Sequence, residues 1–241
     1  MFGHPGQLRI ITANLHSVKA RRPELIQLLD EFKPEVVCLQ DTQAKAEVKL
    51  PNYKELSSTH KIQGVQLGSA ILVRDGIAAS AVPQLNQGRG MELVGADIVR
   101  PRQGSIRVYS AYFRPWRCGN FAGAKRTLDT IIDAVSTHPR VLVLGDLNCK
   151  LETDLQHSND IGDYLQTQVD DGVVYAHIPP EYTRYGHGDQ EDSQIDIVLT
   201  GLDRLNLVES MEVLPDIGSD HRPVMVGVPC LRQARSEEHT S

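Results

Sequence analysis

The sequence predicts a layered α/β fold, two sheets sandwiched between helices in one domain. Apolar runs of strand length are interspersed with segments of helical periodicity along the whole chain. No segment repeats at a fixed period, and no Gly/Ser-rich linker divides the 241 residues. With 40% apolar residues the chain can bury a sizeable core, and because only 5% are aromatic, Val, Ile and Leu must fill it.

Residues 8–13 read as the first strand. Pro23 is expected to start a helix, since its missing N–H costs nothing in a first turn, and Leu25, Leu28, Leu29 and Phe32 then share one face. Lys33-Pro34 stops that helix, and residues 36–39 form a short buried strand ending at Asp41. Residues 70–73 are a strand closed by Asp75-Gly76. Residues 91–99 and 106–112 are strands joined through a turn-rich linker, residues 100–104, with Ile106, Val108, Ser110 and Tyr112 on one face. Residues 124–137 carry a helical stripe of Leu128, Ile131, Ile132 and Val135. The unbroken apolar run 141–144 marks a strand covered on both faces. A weaker helix over 161–168 and strands over 195–200 and 224–228 complete the order.

A net charge of −6 argues against a simple electrostatic nucleic-acid binder. Cations nevertheless crowd two loops: Lys19, Arg21 and Arg22 follow Asn14, and Arg114 and Arg117 bracket Trp116. No apolar run reaches membrane-spanning length, residues 1–17 lack a signal-peptide apolar core, and no membrane partner is expected. Cys38, Cys118, Cys149 and Cys230 form no C-x-x-C pair and read as small buried hydrophobes in a reducing compartment. The closing Arg235-Ser236-Glu237-Glu238-His239-Thr240-Ser241 is what AGATCGGAAGAGCACACGTCT encodes, a string that looks like a sequencing-library adapter. Residues 235–241 are therefore expected to be an assembly artefact, and residues 1–234 one domain cut from a longer reading frame.

Polar residues cluster where strands run out. Asp146 and Asn148 leave the apolar run across Gly145, and alternation along an extended chain would aim both to one side. A carboxylate that activates water beside an amide that binds a phosphate oxygen suits phosphodiester hydrolysis; an Asx turn ending a strand is the plainer alternative. Asp41 is a second strand-end carboxylate, and Mg2+ needs only one or two carboxylates besides water and substrate phosphate. Asn14 could add an amide oxygen to that set or orient a ligand. His221, between Asp220 and Arg222-Pro223, could move protons or stabilise a phosphorane-like transition state if Asp196 fixed its tautomer. In an extended segment Asp220 would point away from His221, toward metal or phosphate.

Together these patches resemble the endonuclease/exonuclease/phosphatase superfamily, the fold of pancreatic deoxyribonuclease and of the major apurinic endonucleases. The resemblance runs from about Leu8 to Val228. It is carried in order by Asn14, Leu39-Gln40-Asp41-Thr42, Ala111-Tyr112-Phe113-Arg114-Pro115, Gly145-Asp146-Leu147-Asn148, Ser193-Gln194-Ile195-Asp196 and Ser219-Asp220-His221. The neighbourhoods Val108 to Pro115, Gly145 to Lys150 and Tyr182-Thr183-Arg184 are similar to the apurinic-type endonuclease domain of non-long-terminal-repeat (LINE-like) retrotransposons.

That resemblance implies a four-layer α/β sandwich, DNase I-like, and a Mg2+-dependent endonuclease, with Mn2+ a possible substitute. The enzyme would nick one strand of double-stranded DNA to leave a 3′ hydroxyl primer, with a reverse transcriptase domain downstream and the nucleus as its place of action. Asp41 would hold the metal with Asn14 and Asp220 near it; Tyr112 and Asn148 would contact the scissile phosphate. Asp146 would position or deprotonate water, and His221, oriented by Asp196, would stabilise the transition state. Ser219 and Thr183 would support the phosphate site, and Arg21, Arg22 and Arg114 would meet DNA. Two positions depart from the family: Asp41 stands where Glu is usual, and Ser193 where cellular repair enzymes place a Trp. A phosphatase or RNA-trimming nuclease of the same fold, or a decayed domain that only binds DNA or protein, is the alternative.

Overall fold

A computed structural model of the chain describes residues 7–59, 67–83, 90–100, 104–201 and 206–229. The expected linker positions 101–103, Cys230 and residues 235–241 lie outside the described residues. In chain order the elements are β1 (Leu8–Asn14), α1 (Val18–Phe32), β2 (Val36–Gln40), β3 (Tyr53–Ser58), β4 (Ala70–Arg74), β5 (Ala79–Ala81), β6 (Met91–Arg100) and β7 (Gly104–Phe113). A 3-10 turn (Pro115–Arg117) follows, then α2 (Phe121–Val135), β8 (Val141–Asp146), α3 (Asp160–Asp170), β9 (Tyr175–His177), β10 (Asp196–Thr200), β11 (Ser210–Val213) and β12 (Val224–Val228).

The strands form two six-stranded sheets, ordered β11-β12-β1-β2-β4-β3 and β5-β6-β7-β8-β10-β9. Both are mixed, because β1 runs parallel to β2 and β7 parallel to β8 while their neighbours are antiparallel. Side chains alternate across each strand. In β1, Ile10 enters the layer between the sheets with Val36, Cys38, Val108, Leu142 and Val198. Its neighbour Ile11 packs outward with Val37 and Leu39 against Leu25, Leu28, Leu29 and Phe32 of α1. On the other sheet Tyr109, Val143 and Ile197 meet Leu128 and Ile131 of α2 and Leu165 of α3. Each such fully buried aliphatic side chain contributes about 1.5–3 kcal/mol. Helix, sheet, sheet and helices stack as the expected four layers.

Helix α1 corrects the expectation at Pro23, which lies inside it. The Ser17 and Val18 N–H groups donate to the Asp41 and Thr42 carbonyls at 2.9 and 2.8 Å. Tertiary contact therefore starts the helix, and Pro23 forfeits one intrahelical bond near its beginning. Asn120 and Asn159 cap α2 and α3, each accepting an N–H two residues into the helix, from Gly123 and Gly162. Cys38 and Cys149 are buried as expected, while Cys118 is half-buried. Among the described residues no helix is long and apolar enough to cross a membrane.

Candidate active site

Six chain segments meet where the two sheets end side by side. Asn14 closes β1 and is paired in register with Gln40 of β2, one residue before Asp41. On the second sheet Tyr112 of β7 and Asp196 of β10 both stand opposite Asp146, the last residue of β8. His221 immediately precedes the turn into β12. Gly145 makes this closeness possible: its φ is +144°, and a Cβ there would lie 2.0 Å from the Ala111 carbonyl oxygen.

The polar groups form one connected chain. The Asn14 amide donates to Asp146 Oδ2 at 2.9 Å, and the Asn148 N–H donates to Asp146 Oδ1 at 3.1 Å. His221 Nε2 stands 3.7 Å from the same Asp146 Oδ2, while its Nδ1 donates to Asp196 Oδ2 at 2.8 Å. The Ser219 hydroxyl donates to the Asn14 carbonyl at 2.9 Å and accepts the His221 N–H at 3.2 Å. The Thr183 hydroxyl accepts the Ile195 and Asp196 N–H groups, both at 3.3 Å, so it holds the strand that carries Asp196. The Asn14 side chain also acts on the Tyr112 hydroxyl, in the lowering direction.

Burial sets the protonation chemistry. It pushes the Asp146 carboxyl up, against the opposing pull of His221 and the Asn14 amide. For His221 burial acts in the lowering direction, but Asp196 and Asp146 together outweigh it and raise the imidazole to about 9. The His221 ring thus holds its proton between Asp196 and Asp146. Burial, with the nearby Asp146 and Asp41 charges, also raises the Tyr112 phenol and keeps it protonated.

Asp41 adopts the left-handed backbone region at φ +46°, held by the two backbone bonds that start α1. Its Oδ1 accepts from the Gln43 amide at 3.2 Å, and its Oδ2 lies 3.7 Å from the exposed His16 ring. Burial raises the Asp41 carboxyl and the Asp220 charge raises it further, partly offset by Gln43, His16 and Arg114. Among the described residues no three His, Cys, Asp or Glu side chains gather as a ready-made metal cage. The oxygen-rich set of Asp41, Asn14 and Asp220 still fits a hard cation that keeps most of its water, since a bound positive charge would relieve the buried Asp41 carboxylate.

A cavity of about 710 Å3 opens over these groups, lined by Asn14, Asp41, Tyr112, Asp146, Asn148, Asp220 and His221. Two expectations of side-chain direction are corrected here. Asn148 faces the cavity with Asp146 through a left-handed turn (φ +50°), not through strand alternation, and its amide donates to the Phe113 carbonyl at 2.8 Å. Asp220 and His221 line the same cavity because Ser219 and Asp220 form a bend rather than an extended segment.

None of the three arginines expected at DNA lines this cavity. Arg114 is buried, 3.0 Å from Glu92 and 5.1 Å over the Tyr112 ring, because a buried carboxylate draws the cation inward. Arg21 packs beside the Gly218 turn and Arg22 bonds the Lys49 carbonyl. His16, Lys150, Asp189, Gln190 and Glu191 line the cavity with Trp116 and Arg184, and sequence reasoning passed over the first five. Lys150 stood next to a motif and was legible; the loop residues carried no signal. Ser193, at the expected Trp position, is fully buried.

Residues 106–225 match a family model described as "Endonuclease-reverse transcriptase", a span that holds Tyr112, Asp146, Asn148, Asp196 and His221. The chain carries a domain of that family. Asn14 and Asp41 precede the matched span of this endonuclease-reverse transcriptase domain, and the structure brings them to it. No curated protein matches the chain. Among solved structures it is similar to the endonuclease domain of TRAS1, a telomere-specific non-LTR retrotransposon, at 22% identity and a TM-score of 0.67, covering 92% of this chain and 98% of that one. It is similar to the AP endonuclease LMAP of Leishmania major at 15% identity and a TM-score of 0.68, covering 95% and 90%. An AP endonuclease of Archaeoglobus fulgidus matches at 18% identity and a TM-score of 0.67, covering 92% and 100%. These likenesses establish the DNase I-like fold of the endonuclease/exonuclease/phosphatase superfamily.

Proposed function

We propose that this domain is the apurinic-type endonuclease of a non-LTR retrotransposon, nicking one strand of double-stranded DNA to leave a 3′ hydroxyl that primes reverse transcription. The observation that carries the proposal is the hydrogen-bonded chain that runs from Asp146 through Asn14 and Ser219 to His221 and Asp196. In this reading Asp146 is the general base and the remaining groups orient it and His221, which supports hydrolysis at the cavity they border. The family description couples an endonuclease to a reverse transcriptase, which supports a polymerase domain downstream; the nucleus as the place of action is part of the same proposal.

Asp146, held at both oxygens, takes a proton from the attacking water. The water oxygen bonds to phosphorus, the bond from phosphorus to the 3′ oxygen breaks, that oxygen takes a proton from solvent water, and the products are a 5′ phosphate and a 3′ hydroxyl. His221 Nε2 is too far from Asp146 for a hydrogen bond, so its N–H turns to a phosphate oxygen whose charge grows in the transition state. Asp196 fixes the ring and holds its proton; Thr183 and Ser219 hold Asp196 and His221 in turn. Asn148 and the protonated Tyr112 hydroxyl face the same phosphate. Mg2+ or Mn2+, when held by Asp41 with Asn14 and Asp220 beside it, supplies positive charge to the phosphate oxygens.

A supercoiled-plasmid assay tests the reading. Open circles should form with Mg2+ or Mn2+, vanish with EDTA, and vanish in Asp146→Ala and His221→Ala. Hydrolysis of small phosphoesters without nicking would point to the phosphatase alternative instead.

A further inference from the structure

We propose that the groove between Trp116 and Phe121 is a nucleobase subsite, holding one unpaired base of the DNA strand beside the scissile phosphate; this rests on the nuclease reading above. The groove has a volume of about 530 Å3 and is lined by Pro115, Trp116, Phe121, Ala124, Asn159 and Ile161. Trp116 is 63% exposed and Phe121 46%, two large rings turned to water at one place.

Continuity with the catalytic cavity selects the occupant. Trp116 lines both spaces, and the Asn159 amide in the groove wall donates to the Asn148 carbonyl at 3.2 Å. A strand whose phosphate lies against Asp146 and His221 therefore leads its neighbouring nucleotide past Trp116. The mounting is rigid: Pro115 opens the 3-10 turn, and the Arg117 and Cys118 N–H groups return to the Arg114 and Pro115 carbonyls at 2.9 and 3.1 Å. Cationic charge accompanies the rings, with Lys125 Nζ 4.7 Å from the Phe121 ring and 4.5 Å from the Tyr164 ring. The charged residue lining the groove itself is Asp160, so the aromatic faces rather than charge match a base. Stacking of this kind tolerates every base, so the subsite favours unstacked DNA rather than a particular sequence.

Trp116 is the sole tryptophan of the chain, so tryptophan emission reports this one ring. The experiment titrates Asp146→Asn, which keeps the DNA intact, in Mg2+ with a fluorescein-labelled duplex, fully paired or carrying one unpaired thymine, and reads Trp emission alongside label anisotropy. The unpaired-base duplex should quench Trp emission in step with anisotropy and more strongly than the paired one. Trp116→Ala should weaken its binding roughly ten- to hundred-fold, and Trp116→Phe should restore most of that loss. Binding without quenching, equal quenching by both duplexes, or wild-type affinity in Trp116→Ala would overturn the subsite while plasmid nicking by the unaltered chain leaves the nuclease reading standing. Neither binding nor nicking would sink both.

Discussion

Asn14 and Asp146 lie in different sheets and 132 positions apart, yet the Asn14 amide donates a 2.9 Å hydrogen bond to Asp146 Oδ2. The Asp146 carboxylate is thus oriented across the sheet-to-sheet interface, and the packing of the central layer sets its geometry.

Removing that donor leaves a buried carboxylate oxygen short of a partner. Asn14→Ala should lose about 1–3 kcal/mol of stability and on the order of 10–100-fold in nicking rate, with the fold retained. Urea unfolding and plasmid kinetics on the same preparation check both numbers. Unchanged nicking would remove Asn14 from the site.

Asp196 supplies His221 with a hydrogen bond and a negative charge, both raising the imidazole toward its value of about 9. Activity that needs imidazolium is present below that value and lost as pH rises through it. Asp196→Asn removes two raising influences and leaves burial, which lowers, opposed only by the Asp146 and Asp220 charges, so the alkaline limb of kcat/KM should move to lower pH. A limb that stays in place means that another group sets it.

Legibility from sequence followed burial. Strands β1, β2, β7, β8 and β12 are apolar runs and could be read directly. The sequence reading passed over β3, β5, β9 and β11, which pair on one side or are only three or four residues long, and which expose polar residues such as Lys54, Ser80 and Ser210. The start of α1 was hidden because carbonyls more than twenty positions onward begin it. Asp41, Asp146, Asp196 and His221 were found because each sits at the end of a strand or beside one. The burial of Arg114 was not legible because its partner Glu92 lies in another strand and nothing local marks it.

Glu92 and Arg114 form a buried pair, with the Thr59 and Ser69 hydroxyls donating to Glu92 Oε2 at 3.1 and 3.4 Å. Glu92→Ala strands the guanidinium beneath Tyr112 and should cost about 3–5 kcal/mol, whereas the double variant Glu92→Gln, Arg114→Met should cost much less. Chemical denaturation of the three proteins gives the comparison. Equal losses in the single and double variants would contradict it.

A cation held by Asp41 must stabilise the native state, by about 2.7 kcal/mol at a hundredfold excess over its dissociation constant. Mg2+ should therefore raise the thermal midpoint of the wild-type chain and leave Asp41→Asn unmoved. Because burial raises the Asp41 carboxyl, protons compete with the metal and the rise should shrink as pH falls.

The most direct test joins the nick to the end it leaves. Supercoiled plasmid is treated with the chain and Mg2+, and the open circles are offered to a DNA polymerase with labelled nucleotides and no phosphatase treatment. Metal-dependent circles that take up label, and none from Asp146→Ala, are the predicted result. Intact supercoils, or circles that accept label only after a 3′ phosphatase, would contradict the account.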